Sequence, residues 1–243
     1  MSEQTYLSTK PIPMQERLIM ALDLPSIEEA KKLVEVLGDS VHFYKVGMEL
    51  FMTGDYFELI HWLKARNKKV FVDLKFFDVP ETVGRAIRAL SKVGVEFATI
   101  HGNNAIMESA AKEKGDLKVL AVTVLTSLDR GDLDDLGFKC DIKELVTSRA
   151  RRALELGCDG VISSGLEAPA LRDQIDNKLL VISPGIRPVE NRPSDDQKRV
   201  VTVTQAFNNG ADYIVVGRPI RDAADPYSEA QKIQSQIAEA FQQ

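Results

Sequence analysis

The sequence has little of what would place it among disulfide-stabilised or membrane proteins. Only two of its 243 residues are cysteines, Cys140 and Cys158, and their spacing fits neither a disulfide framework nor a metal-binding motif. Its longer apolar runs, such as KVLAVTVLT and YIVVG, are far too short to cross a bilayer. We therefore expect no membrane partner and a location in a reducing cytoplasm.

The chain also lacks an excess of positive charge. Its 31 lysines and arginines are outnumbered by 36 acidic residues, and no basic stripe is present, so nucleic acid is not an expected partner. Histidine is scarce as well: His42 and His61 have no partners at metal or triad spacing, while His101 ends a predicted strand and is a weak candidate for lining a cavity. Motifs for a P-loop, a serine triad or a zinc protease are missing.

The sequence does have a regular alternation of short β-type runs with amphipathic segments. A single-domain (β/α)8 TIM barrel is the predicted α/β fold, with a flexible arm at residues 1–15 and the barrel at 16–243. A doubly wound open sheet is the main rival, but no glycine-rich dinucleotide motif follows the first strand. The predicted strands are 17–24, 42–48, 69–76, 97–102, 118–126, 160–164, 179–186 and 213–220.

Local signals mark the helices and the long connections. Ser26 followed by Glu29 predicts a capped helix start that Gly38 terminates, and Pro80 suits the first turn of another helix. The turns are short except at 127–141 and 185–200. The second of these polar stretches follows the seventh strand and is a candidate lid.

Charged residues interrupt the apolar stretch FVDLKFFDVPET. Asp73 and Lys75 are two residues apart on a strand and share one face, whereas Val72, Leu74 and Phe76 share the other. In a barrel the charged face would point inward near the carboxyl ends of the strands, where active sites of this fold lie. Asp78 falls just beyond the strand.

Neighbouring strands repeat this arrangement. By the same parity Asp23 and Lys45 point into the cavity, so four charges from three strands converge there. A salt-bridge network that closes the barrel is the alternative, but buried ion pairs are a weak source of stability, which favours a functional site. Gly217 and Arg218 in GRPI follow the eighth strand, the usual phosphate site of a barrel, and Thr126 and Ser127 end the fifth.

Taken in order, ALDL, YKVGMELF, DLKFFDVPET, AVTVLTS, SPGIRP and GRPI resemble the bacterial type of orotidine 5′-phosphate decarboxylase over about residues 17–230. The resemblance implies cofactor-independent decarboxylation of this nucleotide to UMP in pyrimidine biosynthesis. It also implies a homodimer with shared active sites and no metal.

The resemblance further implies roles for individual residues. Lys45, Asp73, Lys75 and Asp78 would form the catalytic array, with Lys75 as the proton donor to C6 and Asp78 reaching into the neighbouring subunit. The implied substrate-binding residues are Asp23, Lys45, Asp73, Thr82, Thr126, Ser127, Arg187, Gln197, Gly217 and Arg218. Two other functions stay open: a Mg²⁺-dependent sugar-phosphate decarboxylase or synthase of the same barrel group, and a non-catalytic nucleotide-binding barrel.

Overall fold

Eight parallel strands close into a barrel in the computed structural model, which describes residues 5–187 and 200–242. Each strand pairs with the next along the chain, and the eighth returns to the first through pairs such as Leu18 with Ile214. The strands are β1 (Leu18–Ala21), β2 (Phe43–Gly47), β3 (Lys69–Phe76), β4 (Phe97–His101), β5 (Lys118–Val122), β6 (Gly160–Ile162), β7 (Leu180–Ser183) and β8 (Tyr213–Val216). The predicted barrel is confirmed.

Helices connect the strands along the outside of the barrel. They are α1 (Ile27–Leu37), α2 (Met48–Phe51), α3 (Tyr56–Lys64), α4 (Pro80–Ser91), α5 (Asn104–Glu113), α6 (Arg130–Asp135), α7 (Ile142–Glu155), α8 (Ala168–Gln174), α9 (Val203–Asn208), α10 (Arg218–Arg221) and α11 (Pro226–Ala240). Within the described residues, none of these helices has both the length and the hydropathy needed to cross a membrane.

The helix ends follow the chemistry of their sequences. The Ser26 side chain accepts a hydrogen bond from the Glu29 backbone N–H at the start of α1, and Gly38 ends that helix with φ of 49°, a conformation that glycine adopts without steric cost. Pro80 occupies the first turn of α4, where its missing N–H has no intrahelical partner to lose.

Strand parity divides the apolar residues into two layers. One layer lies between strands and helices and includes Val70 and Val72 of β3. The other fills the barrel interior and includes Ile19 of β1, Phe43 of β2 and Phe71 of β3. Because Lys45 and Asp73 each follow one of these interior phenylalanines by two residues, the alternation carries both charges inward, as predicted.

An aromatic cluster fills the part of the barrel beneath those charges. The rings of Phe43 and Phe97 are 5.0 Å apart between centroids, those of Phe71 and Phe97 5.9 Å, and those of Phe97 and Tyr213 5.2 Å. All three pairs are edge-to-face or tilted, the geometries that aromatic quadrupoles favour. The interior is therefore packed, and it supports the charged residues from below.

The N-terminal segment lies against the amino-terminal end of the barrel. Ser8 and Lys10 both contact the Asp212 carboxylate just before β8, and Ile12 packs against the interior apolar layer. The Arg17 guanidinium donates to the backbone carbonyls of Lys10 and Asp212. The division into a flexible arm at 1–15 and a barrel at 16–243 stays a prediction.

The structure describes one of the two predicted long connections and only the ends of the other. The predicted turn at 127–141 contains the short helix α6, which a reciprocal capping box of Asp129 and Asp132 begins. The candidate lid at 185–200 lies largely outside the described residues, since only 185–187 and 200 are described. Several strands also end earlier than predicted: β5 stops at Val122, so Thr126 and Ser127 lie in the following loop.

Candidate active site

Four charges meet where β1, β2 and β3 end. The Lys75 ammonium lies 3.0 Å from Asp73 Oδ2, and the Lys45 ammonium lies 3.4 Å from the same oxygen. Lys45 also donates to Asp23 Oδ1 at 2.9 Å. One carboxylate oxygen therefore bridges two cations, and Lys45 is held between two carboxylates. This set of Asp23, Lys45, Asp73 and Lys75 is called the charged array below.

Burial and the neighbouring charges shift the pKa values of the array in opposite directions. Burial alone would raise the pKa of Asp73, but the ammoniums of Lys45 and Lys75, with the hydrogen bonds to its carboxylate, lower the pKa below its usual value. Burial would likewise lower the pKa of Lys45, but Asp73 and Asp23 outweigh it and raise that pKa. Both groups thus stay ionised around neutral pH, although only 12% of the Asp73 side chain and 10% of that of Lys45 are exposed.

Gly47, at the end of β2, leaves room for the Lys45 ammonium because it has no side chain. A Cβ atom on Gly47 would lie 3.3 Å from Lys45 Nζ and 3.6 Å from Asp23 Oδ1. A side chain at this position would therefore crowd the ion pair and require the Lys45 ammonium to shift by a few tenths of an ångström. The glycine that ends β2 thus belongs to the construction of the site.

A cavity of about 490 Å³ opens above the charged array. This volume suits a small ligand such as a nucleotide. Its floor is apolar, with Phe71, Val122, Ile162 and Val215 below the charges. The predicted site residues that line it are Asp23, Lys45, Asp73, Lys75, Thr126, Ser127, Arg187, Gly217 and Arg218.

Guanidinium groups line one side of the cavity, next to the ends of β7 and β8. Arg187 follows β7, while Arg218 and Arg221 belong to α10 after β8. Arg221 was not predicted: its side chain donates to the Asp23 backbone carbonyl at 2.6 Å and pairs with Asp222. Three cations at the carboxyl end of a barrel form a suitable site for a phosphate group.

Thr99 on β4 is the second residue that the sequence reasoning missed. It is fully buried, and its hydroxyl donates to Asp73 Oδ1 at 2.8 Å while accepting from the Lys75 backbone N–H at 2.9 Å. A signal was present, because Thr99 follows the interior Phe97 by two residues just as Asp73 follows Phe71. An uncharged hydroxyl at this position does not stand out in a sequence.

Two predicted residues lie apart from the cavity in this chain. Asp78 is exposed in the loop between β3 and α4, where its carboxylate accepts from the Val79 backbone N–H at 2.6 Å. Thr82 is exposed on the first turn of α4. Within residues 5–187 and 200–242, neither contacts the charged array.

The remaining candidates are His101 and Gln197. His101 ends β4 as predicted, but its ring lies 4.6 Å from that of Phe77 and it does not line the cavity. Burial, together with Arg149 and Lys75, lowers the His101 pKa. Gln197 lies outside the described residues. In the part of the chain that is described, no group of three or more His, Cys, Asp or Glu residues is arranged to hold a metal ion.

Comparison with known proteins gives consistent results. The model of the family described as "Orotidine 5'-phosphate decarboxylase / HUMPS family" matches residues 16–233. The chain is 74% identical to the orotidine 5′-phosphate decarboxylase of Methylococcus capsulatus over 236 residues, which cover 97% of this chain and 98% of that one. It is 50% identical to the enzyme of the same name from Stenotrophomonas maltophilia over 239 residues, covering 97% and 99% of the two chains.

A solved structure agrees with these sequence relationships. The crystal structure of orotidine 5′-phosphate decarboxylase from Lactobacillus acidophilus superimposes with a TM-score of 0.80 at 36% identity. The match covers 91% of this chain and 99% of that one. The similarity therefore extends over most of the chain.

Proposed function

The chain belongs to the orotidine 5′-phosphate decarboxylase / HUMPS family, and from that premise we propose that its charged array carries out the family's decarboxylation. The chain is a carboxy-lyase that converts orotidine 5′-phosphate to UMP in pyrimidine biosynthesis. The observation that carries the assignment of residues is the Asp73 carboxylate, which lines the cavity and bridges Lys45 and Lys75.

The reaction breaks the bond between C6 of the pyrimidine and its carboxylate. Carbon dioxide leaves, and the electron pair of the broken bond stays on C6, where the ring offers no electron sink. An ammonium at C6 stabilises this charge and then donates a proton to the carbon. Lys75 suits both tasks, because its ammonium lies in the cavity with about a third of the side chain exposed, while Asp73 holds it in place.

Each end of the substrate has a matching surface. The apolar floor fits the pyrimidine ring, Thr126 and Ser127 offer hydroxyls for its polar edge, and Asp23 is placed for a ribose hydroxyl. Arg187 and Arg218, together with Gly217, take the phosphate, and Gln197 is proposed to join them. Binding energy from the remote phosphate can then be used to hold the reacting carbon at Lys75.

The charges of the array disfavour the Mg²⁺-dependent alternative. Among the described residues, the carboxylates that line the cavity are those of Asp23 and Asp73, and both already pair with lysine ammoniums. A divalent cation would have to displace Lys45 or Lys75 and would lie next to the other ammonium. The other alternative is a barrel that binds nucleotides without catalysis. The apolar floor and the charged array together suit turnover better than binding alone.

Metal removal gives the direct test of the reaction. Purified protein should consume orotidine 5′-phosphate at the same rate with and without EDTA. The loss of substrate absorbance measures this rate. A rate of orotidine 5′-phosphate consumption that EDTA abolishes and Mg²⁺ restores would contradict the metal-independent mechanism. A flat trace beside an active control decarboxylase would overturn the decarboxylase function.

A homodimer with shared sites accounts for the positions of Asp78 and Thr82. Both are exposed, and the loop that carries Asp78 also exposes the apolar side chains of Phe77 and Val79. Met48 of α2 and Met52, which follows that helix, are exposed as well. Exposed apolar side chains of this kind are typical of protein–protein contacts. We place Asp78 and Thr82 at the cavity of the second subunit.

Subunit mixing tests this arrangement. Asp78→Ala and Lys75→Ala are each expected to be inactive, but a mixed dimer would contain one site that lacks both side chains and one intact site. After exchange of equal amounts, about a quarter of the wild-type activity should return, since half of the dimers are mixed. A mixture that stays inactive although mass spectrometry detects mixed dimers would rule out shared sites. Lys112→Ala mixed with Lys75→Ala is the control for the mixing procedure, because its activity should stay at about half of the wild-type value before and after exchange.

The cytoplasm is the proposed location. Cys140 and Cys158 are both free thiols, and Cys158 is buried. Unpaired cysteines are typical of proteins that work in a reducing compartment. This fits an enzyme of nucleotide synthesis.

A further inference from the structure

An irregularity in the barrel lies directly beside the charged array. Val72 of β3 pairs with Ala98 of β4, but the next pair is Phe76 with Ile100. Residues 73–75 therefore face Thr99 alone, so β3 bulges where it carries Asp73 and Lys75. A bulge of this kind redirects side chains and leaves backbone groups without their ladder partners.

The bulge forces Lys75 into an uncommon conformation. Its φ is 49°, in the left-handed region that a residue with a side chain adopts only at a steric cost. Such a conformation persists only where its surroundings hold it. The Thr99 hydroxyl holds it, because it accepts a hydrogen bond from the Lys75 backbone N–H, which has no partner in the interrupted strand pairing.

The same hydroxyl orients the carboxylate of the array. Thr99 Oγ1 donates its proton to Asp73 Oδ1, which leaves Oδ2 to face both Lys45 and Lys75. A hydroxyl can donate and accept at once, whereas a valine side chain of the same shape can do neither. Thr99 is fully buried, so water has no access to replace these two bonds.

We propose that Thr99 is a positioning residue, whose hydroxyl locks the β3 bulge and the Asp73 carboxylate so that the Lys75 ammonium faces C6 of the substrate. The inference rests on the proposed function. Thr99 itself touches no reacting atom and acts through Asp73 and Lys75. The rate would therefore depend on a residue of β4, a strand that contributes no charge to the array.

Replacement of the hydroxyl tests the inference. Thr99→Val should lower kcat by about 10²-fold, the size of effect that a misplaced catalytic group produces. Binding of UMP, measured by titration calorimetry, should change by less than about threefold, because the residues that bind phosphate and ribose are unaltered. Thr99→Ser keeps a donor and an acceptor and should retain kcat within about fivefold of the wild type.

The pH profile supplies a readout that a purely structural role would not move. Loss of one hydrogen bond to its carboxylate should raise the pKa of Asp73, so the acid limb of the kcat profile should move to higher pH in Thr99→Val and not in Thr99→Ser. The titratable groups around the array are the same in all three proteins: Asp23, Lys45, Tyr56, Lys75 and His101.

Controls separate this inference from the function on which it rests. Thr147→Val removes a buried hydroxyl of α7 that donates only to the Lys143 carbonyl, and it should leave kcat unchanged. Thermal unfolding monitors folding, and Thr99→Ala replaces Thr99→Val if the latter does not fold. An active wild type with Thr99→Val within about threefold of its kcat, or with Thr99→Ser as slow as Thr99→Val, overturns the inference alone. An inactive wild type overturns the proposed function and the inference together.

Discussion

Replacement of Lys75 by alanine is expected to lower kcat by about 10⁴-fold or more. The variant loses both the proton donor, worth about 10²–10⁴, and the cation that stabilises the developing charge on C6, worth about 10²–10³ for a single group. These effects do not simply multiply, since one ammonium supplies both. Stopped assays with radiolabelled carboxylate measure the residual rate.

Ligand binding should survive this change. The guanidinium groups, the hydroxyls after β5 and Asp23 do not depend on Lys75, so UMP should bind to Lys75→Ala with a dissociation constant within about tenfold of the wild type. Lys112→Ala, which removes an exposed lysine of α5 paired only with Glu108, is the matched control and should keep full activity. Turnover near the wild-type rate in Lys75→Ala would rule out Lys75 as the proton donor.

Strand parity predicted the centre of the site because the physics behind it is local. A residue two positions beyond an interior phenylalanine points inward, which placed Lys45 after Phe43 and Asp73 after Phe71. The closed barrel followed from the alternation of strands and helices. Sequence spacing alone cannot show a bulge, however, because β3 reads as an unbroken alternation through Phe76. The left-handed Lys75 and its contact with Thr99 therefore emerged only from the pairing with β4.

Contacts between distant segments were the other part that the sequence did not disclose. Arg221 supports the Asp23 carbonyl across 198 positions of the chain, and no motif links the two residues. Ser8 and Lys10 reach Asp212 across about 200 positions in the same way. The predicted roles of Asp78 and Thr82 depend on a second chain, so they came from the family resemblance and not from any pattern within this sequence.

The second large effect concerns stability, at the opposite end of the barrel from the site. Asp212 is fully buried, and its carboxylate accepts from Lys10 at 3.0 Å, Arg172 at 2.8 Å and the Val181 backbone N–H at 2.9 Å, as well as from Ser8. Asp212→Ala would leave two buried or half-buried cations without their counter-ion. Removal of one partner from a buried ion pair costs about 3–5 kcal/mol.

That loss should be visible as a large fall in Tm. For a chain of this size, 1 kcal/mol corresponds to about 2–4 °C, so Asp212→Ala should melt about 6–20 °C below the wild type in circular dichroism. Glu58→Ala, which breaks the exposed pair with Lys31, is the matched control and should cost less than about 1 kcal/mol. A shift no larger than that of the control would show that Asp212 contributes little to the stability of the fold.

The activity of Asp212→Ala at 25 °C then distinguishes the roles of the two ends of the barrel. The rings of Phe43, Phe71 and Phe97 lie between Asp212 and the charged array, and none of the hydrogen bonds of the Asp212 carboxylate involves them. Below its lowered Tm the folded variant should therefore keep kcat, in contrast to Lys75→Ala, which should lose kcat and keep its Tm within a few degrees. Such a pair of results would assign catalysis to the carboxyl ends of the strands and a large part of the stability to their amino ends, because each variant would change one property and spare the other.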